Sequence, residues 1–203
     1  MKKHIVCFGD SNTHGYCAEP FDCADGGDRF NESERWTCLL GQALGEDYLV
    51  LEEGLGGRTT VFQDPLTEGL CGIDVIFPVL MSHEPVDLLI VMLGTNDLLQ
   101  GNSAEAVADR MENFCRQIEL EKSKILLIGP PAMQMGEWVT TRELADASAS
   151  LNKAYKARAR GLGVDFVDAG DWNIPLAFDG VHFTEEGHRE FAEALAEHLN
   201  KGV

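Results

Sequence analysis

Three features of the sequence predict an α/β chain built on a parallel sheet. Continuous apolar runs, Ile5-Val6-Cys7-Phe8 and Leu88 to Leu93 chief among them, have the character of strands covered on both faces. Between such runs lie segments whose apolar residues recur at helical spacing. The two kinds of segment alternate five times, which predicts right-handed crossovers with helices on both faces of the sheet.

The first strand stops abruptly at Gly9-Asp10-Ser11-Asn12-Thr13-His14-Gly15. Its C-terminal edge, where open α/β sheets bind ligands, therefore receives a serine flanked by glycines. Residues 16–33 carry Pro20, Gly26-Gly27 and several acids with no period of either kind. They read as a long loop, and such loops in compact domains tend to be functional. From about Glu34 to Leu44 the residues Trp36, Leu39, Leu40, Ala43 and Leu44 follow helical spacing, which Gly45 ends. Tyr48 to Leu51 read as the second strand, leading into Glu52-Glu53-Gly54-Leu55-Gly56-Gly57-Arg58-Thr59-Thr60. Such dense glycine calls for unusual backbone angles or close approach to a ligand.

Ile73 to about Met81 is expected to be helical in part, with Pro78 capping, bending or interrupting it. The run after Asp87 delivers Gly94-Thr95-Asn96-Asp97 to the same sheet edge, where Asn96-Asp97 has the makings of a turn. Ser103 caps a helix reaching roughly to Glu119, with Glu105 in a first turn suited to the helix dipole. Ile125 to Ile128 form the next strand, broken by Gly129-Pro130-Pro131. A loop with Met133, Met135 and Trp138 follows, fit either to wall an acyl pocket or simply to pack under a surface loop. A helix from about Thr141 to Arg160 is stopped by Gly161 and Gly163, and Val164 to Val167 make the last strand. After Asp179-Gly180-Val181-His182-Phe183, Thr184 caps a final helix to about Asn200.

With 203 residues, 44% of them hydrophobic, and no composition break, the chain is expected to form a single domain over 1–203 with one substantial core. Lys and Arg total 16 against 34 Asp and Glu, and the net charge of -18 repels nucleic acid and anionic membrane surfaces. The apolar run after Met1-Lys2-Lys3-His4 ends too soon for a signal core or a membrane span, so a cytoplasmic protein is expected. The six cysteines, Cys7, Cys17, Cys23, Cys38, Cys71 and Cys115, then read as reduced, mostly buried thiols. Cys17 and Cys23, in one irregular segment, are the pair with scope for redox or metal chemistry, though their spacing matches no common zinc pattern.

Ser11, the glycines at 56 and 57, Asn96, and the pair Asp179 and His182 all fall near predicted strand ends on one edge. A serine hydroxyl needs an imidazole to take its proton and a carboxylate to orient that imidazole, which Asp179 and His182 can supply from one short turn. The oxyanion of a tetrahedral intermediate needs donors, available from the Ser11 and Gly57 backbone N–H groups and the Asn96 amide. Singly, each residue has a plainer reading. Ser11 can cap a helix, Asp97 can orient its loop, His14 can wall a pocket, and His188 and His198 can be solvated helix residues.

Together, Gly9-Asp10-Ser11 with Gly15, the Gly57 block, Gly94-Thr95-Asn96-Asp97 and Asp179-Gly180-Val181-His182 resemble, in order and spacing, the four sequence blocks of the SGNH (GDSL-type) hydrolases. Around Glu52-Glu53-Gly54-Leu55 and Arg58-Thr59-Thr60 the chain resembles the arylesterase and acyltransferase branch. The resemblance implies a three-layer α/β/α sandwich with a five-stranded parallel, flavodoxin-like sheet. It also implies a serine esterase without cofactor or metal, acting on a small acyl ester. On matching positions Ser11 is the nucleophile, His182 the base, Asp179 its orienter, and Ser11, Gly57 and Asn96 the oxyanion hole. Asn12 stands where many relatives carry leucine, a departure expected to touch pocket shape more than chemistry.

Two other classes compete with this reading. One is a metal-dependent phosphoesterase using Asp10, Asp97, Asp179 and His182 as ligands. The other is a non-catalytic binding module on the same fold. The loop at 16–33 and the apolar loop near Trp138 also suggest a homo-oligomer.

Overall fold

The computed structural model describes residues 1–19, 27–63 and 67–201. Among these, five strands form one all-parallel sheet: β1 (Lys3–Gly9), β2 (Tyr48–Gly54), β3 (Leu88–Met92), β4 (Ile125–Gly129) and β5 (Asp165–Asp168). Their order is β2-β1-β3-β4-β5. Seven α-helices accompany them among the described residues: α1 (Ser11–His14), α2 (Trp36–Leu44), α3 (Gly72–Ser82), α4 (Thr95–Leu99), α5 (Ala104–Gln117), α6 (Arg142–Leu162) and α7 (Glu185–Lys201).

Strand alternation divides the core into two layers. Val6 and Phe8, Leu89 and Val91, and Ile125 and Leu127 point to one face, against Ile76 of α3, Met111 and Phe114 of α5, and Leu151 and Tyr155 of α6. Ile5 and Cys7, Ile90 and Met92, and Leu126 and Ile128 point to the other, against Trp36 and Leu40 of α2 and Phe191 and Leu195 of α7. Both faces of the central strands are covered, which is why they read as unbroken apolar runs rather than as an alternating pattern.

The caps predicted at Ser103 and Thr184 are present, and Thr141 makes a third. Ser103 Oγ accepts from the Ala106 N–H at 3.3 Å, Thr141 Oγ1 from that of Leu144 at 3.3 Å, and Thr184 Oγ1 from that of Gly187 at 3.0 Å. Several boundaries differ from expectation. β2 runs on to Gly54, and α3 runs through Pro78 to Ser82. Gly161 lies inside α6, which ends instead at Gly163 in the left-handed conformation with φ 70°. Single-turn helices, α1 and α4, occupy positions where turns were expected; four or five residues are too few to show a period. Pro20, Cys23 and Gly26 of the long loop lie outside the described residues.

Among the described residues, the expectation of reduced thiols fails at Cys17. Cys7, Cys38, Cys71 and Cys115 are free, but Cys17 is disulfide-bonded. No helix of the described residues is long and apolar enough to cross a membrane.

Two glycines set how closely α1 lies on the sheet. A Cβ on Gly54 would come within 2.1 Å of the His14 backbone nitrogen, and one on Gly9 within 2.0 Å of Thr13 Oγ1. The obstacle at Gly54 is backbone and cannot swing aside. Gly54→Ala should therefore destabilise the fold by about 1–3 kcal/mol, typical of overpacking, as read from the urea midpoint at unchanged slope.

Candidate active site

The sheet order places the end of β1 beside the end of β3, and the crossovers leave these two strands in opposite directions. Such a point opens a crevice beyond the strand ends. Ser11 follows β1, Asn96 follows β3, and Gly56 and Gly57 follow β2. The segment between β5 and α7 returns across the same edge and brings Asp179 and His182.

His182 Nε2 lies 2.9 Å from Ser11 Oγ, and His182 Nδ1 lies 2.6 Å from Asp179 Oδ2. All three residues are buried, with Ser11 at 9% exposure the most open. With the Nδ1–H donating to Asp179, Nε2 is left as acceptor for the Ser11 hydroxyl. The other carboxylate oxygen, Asp179 Oδ1, accepts from the backbone N–H groups of Val181 at 2.8 Å and His182 at 3.0 Å. Burial pushes the Asp179 carboxyl up, yet the His182 ring and these two N–H groups outweigh it and hold it below the usual carboxylate range. A fixed anion at Nδ1 favours the imidazolium that forms when Nε2 accepts a proton.

Asn96 Nδ2 donates to the Arg58 carbonyl at 3.0 Å, leaving its second hydrogen for the cleft. Among the described residues, neither the Ser11 nor the Gly57 backbone N–H has an acceptor within the chain. Asp97 is fully buried and turned away from the cleft, accepting from the Thr60 N–H at 2.9 Å and the Thr60 hydroxyl at 2.6 Å. It thus ties the turn after β3 to the glycine block after β2. Arg58 strengthens the same corner, donating to the Gly9 carbonyl at 2.8 Å and to that of Glu53, with its guanidinium 4.1 Å from the Phe8 ring centre.

These groups surround a cleft of about 310 Å³ lined by Ser11, Gly56, Gly57, Asn96 and His182, with Tyr16 and Trp138 as its aromatic walls. A sequence model described as the GDSL-like Lipase/Acylhydrolase family matches residues 7–190. The chain belongs to that family. Among solved structures, it is similar to the native aryl esterase of M. smegmatis, at 33% identity over 99% of this chain and 100% of that one, with a TM-score of 0.88. It is also similar to the carbohydrate acetylesterase Est24 of Sinorhizobium meliloti, at 29% identity over 100% of both chains, with a TM-score of 0.87. The lipase/acylhydrolase of Enterococcus faecalis, at 20% identity and a TM-score of 0.71 over 98% of this chain and 96% of that one, shares the fold. Comparison with curated proteins gives no match.

Within this SGNH hydrolase frame, some side chains sit where the sequence put them and others do not. Tyr16, the first residue after the Gly15 turn, packs edge-on against His182 with ring centres 4.6 Å apart; Trp138 does the same from the other loop at 5.0 Å. Of the three large side chains fit either to wall a pocket or to pack under a surface loop, Trp138 lines the cleft. Met133 is part of the core and Met135 is out in solvent. The Trp138 loop is laced to the segment carrying Asp179 and His182, because Gln134 N–H donates to the Gly180 carbonyl at 2.9 Å and Trp138 N–H to that of Asp179 at 3.1 Å. Gly180, at φ 79°, leaves room for this lacing: a Cβ there would meet the Gln134 carbonyl oxygen at 2.0 Å. His14 is not a cleft wall; it is part-buried against Gly54 and accepts on its carbonyl from Arg29 Nε at 2.8 Å.

Asp10 accepts from the Asn12 N–H at 3.0 Å and fixes the turn that presents Ser11; burial raises its carboxyl to about 6. Asn12 does not line the cleft either. Its side chain is buried and bonded to the backbone on either side of His182 rather than facing the cleft, so the expected effect on pocket shape is absent.

His188, expected in solvent, is fully buried among Phe30 and Phe183, and its Nδ1 accepts from the Trp36 N–H at 3.3 Å. Burial, with the charges of Arg35 and His182, lowers its pKa to about 3. The unfolded chain takes up this proton near pH 6.5 and the native state does not, so His188 drains stability as pH falls from about 6.5 towards 3. Asp10 acts in the opposite sense over about 4 to 6, since its native carboxyl binds the proton more readily than the unfolded one. His188→Phe should keep the ring packing and flatten the acid limb. Urea unfolding from about pH 7 to about pH 4 should show the wild-type advantage over this variant shrinking as pH falls.

Proposed function

We propose that the protein hydrolyses short-chain carboxylic esters through an acyl-enzyme on Ser11. The observation that carries this reading is the unbroken line from Ser11 Oγ through His182 to Asp179, at 2.9 and 2.6 Å, facing a cleft supplied with free N–H donors. Ser11 Oγ attacks the ester carbonyl while His182 Nε2 takes its proton, and the carbonyl oxygen becomes an oxyanion within reach of the Ser11 and Gly57 N–H groups and the Asn96 amide. Collapse of this intermediate breaks the bond to the leaving alcohol, which receives the proton from His182. Water then repeats the sequence on the acyl-enzyme and frees the acid. An alcohol in place of water would give acyl transfer from the same intermediate.

The cleft volume, at the small end of the roughly 300–1,000 Å³ range of ligand sites, favours short acyl groups. Its aromatic walls, with Leu55 and Phe178 part-exposed nearby in the chain, favour an apolar or planar alcohol. The carbohydrate acetylesterase and aryl esterase similarities agree with a small acyl group and leave the alcohol broad.

Ser11→Ala should lower p-nitrophenyl acetate turnover by on the order of 10⁴ or more without loss of folding. Turnover at the wild-type rate in that variant would remove Ser11 from the mechanism. Asn96→Ala should lower kcat by roughly 10²–10³, the usual effect of losing one oxyanion donor. In a p-nitrophenyl ester series, kcat/KM should fall steadily from acetate to octanoate; a preference for octanoate would contradict the short-chain reading.

A further inference from the structure

We infer that Asn12 is a positioning residue that locks the base loop onto the nucleophile turn, and that it matters most while Ser11 carries the acyl group. The inference rests on the Ser11 esterase reading. Asn12 is 5% exposed and directly follows Ser11. Its Nδ2 donates to the Val181 carbonyl at 3.1 Å, and its Oδ1 accepts from the Phe183 N–H at 2.9 Å. Val181 and Phe183 are the residues on either side of His182, so one carboxamide grips the backbone before and after the base.

The orientation of the amide is unambiguous. Turning it over would set Nδ2 against an N–H and Oδ1 against a carbonyl. The grip is also anchored from below, because the Asn12 carbonyl accepts from Trp36 Nε1 at 3.0 Å and its N–H donates to Asp10 Oδ1 at 3.0 Å. Trp36 is fully buried. Asn12 therefore passes the rigidity of the core to the loop carrying His182, across a sequence separation of 171 residues between Asn12 and Phe183. Leucine has a similar size but no polar atoms, and would leave a buried carbonyl and a buried N–H unpaired.

Among the described residues, the hydrogen bonds joining the nucleophile turn to the base loop are the two made by Asn12 and the one between Ser11 and His182. The third is lost once Ser11 Oγ is esterified, since it then has no proton to donate. In deacylation, His182 Nε2 must take a proton from water as the water oxygen bonds to the acyl carbon, then return it to Ser11 Oγ as the Ser11 ester bond breaks. During that step Asp179 holds the ring at Nδ1 and Tyr16 and Trp138 pack against it, while the Asn12 grip is the hydrogen-bonded tie left between the base loop and the nucleophile turn among the described residues. A misplacement of the order of 1 Å in such a group can cost about 100-fold.

The test compares Asn12→Leu, which removes both bonds, with Asn12→Asp, which keeps the acceptor for Phe183 and loses the donor to Val181. Stopped-flow traces with p-nitrophenyl acetate give acylation and deacylation rates separately, and thermal melts report folding. The expected result is a kcat lower by roughly 10- to 100-fold in Asn12→Leu and by less in Asn12→Asp. Deacylation should slow more than acylation in both, so that the burst of p-nitrophenolate grows relative to wild type. Wild-type kcat in either folded variant overturns the inference, and so does an equal slowing of both steps, which marks a merely structural residue. If Asn12→Leu does not fold, Asn12→Asp decides by the same criteria. Ser11→Ala is run alongside: full activity there defeats the esterase reading itself, whereas an inactive Ser11→Ala with unaffected Asn12 variants defeats only the positioning role.

Discussion

β1 is fixed in register by a strand on either side and a core layer on either face, and the chemistry-bearing groups hang from that constraint. It pairs with β2 on one side and β3 on the other, with Gly9 level with both Gly54 and Met92, and its side chains enter both core layers. A one-residue slip would exchange every side chain between the layers, so register here is strongly specified. α1 starts at the next turn and is pressed onto β2 at Gly54, where no side chain would fit. The position of Ser11 is thereby inherited from the packed interior rather than from the loop around it.

The strand ends then confront the cost of keeping polar groups out of water. Each buried acid meets it differently. Asp10 caps its own turn, Asp97 is held by Thr60, and Asp179 is shared between two N–H groups and an imidazole. Burial raises the carboxyls of Asp10 and Asp97, whereas the hydrogen bonds on Asp179 hold it low. This division of labour counts against the phosphoesterase alternative. Its ligands would have to converge, and these carboxylates face separate partners; among the described residues no group of three candidate ligands is close enough to hold a metal ion. Arg35 adds a paired clamp on Glu52, at 2.9 and 3.0 Å, and reaches the Phe30 carbonyl at 2.7 Å, which fixes the chain between the nucleophile turn and α2.

How much of this was legible depended on whether a residue's role was local. Ser103 and Thr184 were readable as caps because capping involves residues three positions away, and the buried strands were readable because both faces had to be apolar. His188 was misread although the signal was present: it shares a helical face with Phe191, Ala192 and Leu195, which marks a buried side. Asn12 carried no such signal. Its partners lie 169 and 171 residues away, and a polar residue beside a nucleophile gives no hint of which side of the turn it occupies. Tyr16 was similarly silent, since only the return of the β5 loop brings His182 onto its ring, whereas Trp138 was legible as a candidate pocket wall.

The sequence by itself determined the α/β class, through period and propensity, and brought Ser11, His182, Asp179, Gly57 and Asn96 forward as candidates for nucleophile, base, orienting acid and oxyanion donors, through the motifs that resemble the SGNH blocks. Tertiary structure alone decided that Asp97 braces the glycine block, that His188 is a core residue, and that the Asn12 amide spans the base. Hydrogen-bond partnership between distant segments is set by the strand order and by which groups must be satisfied once buried, and neither is written in any local stretch of chain.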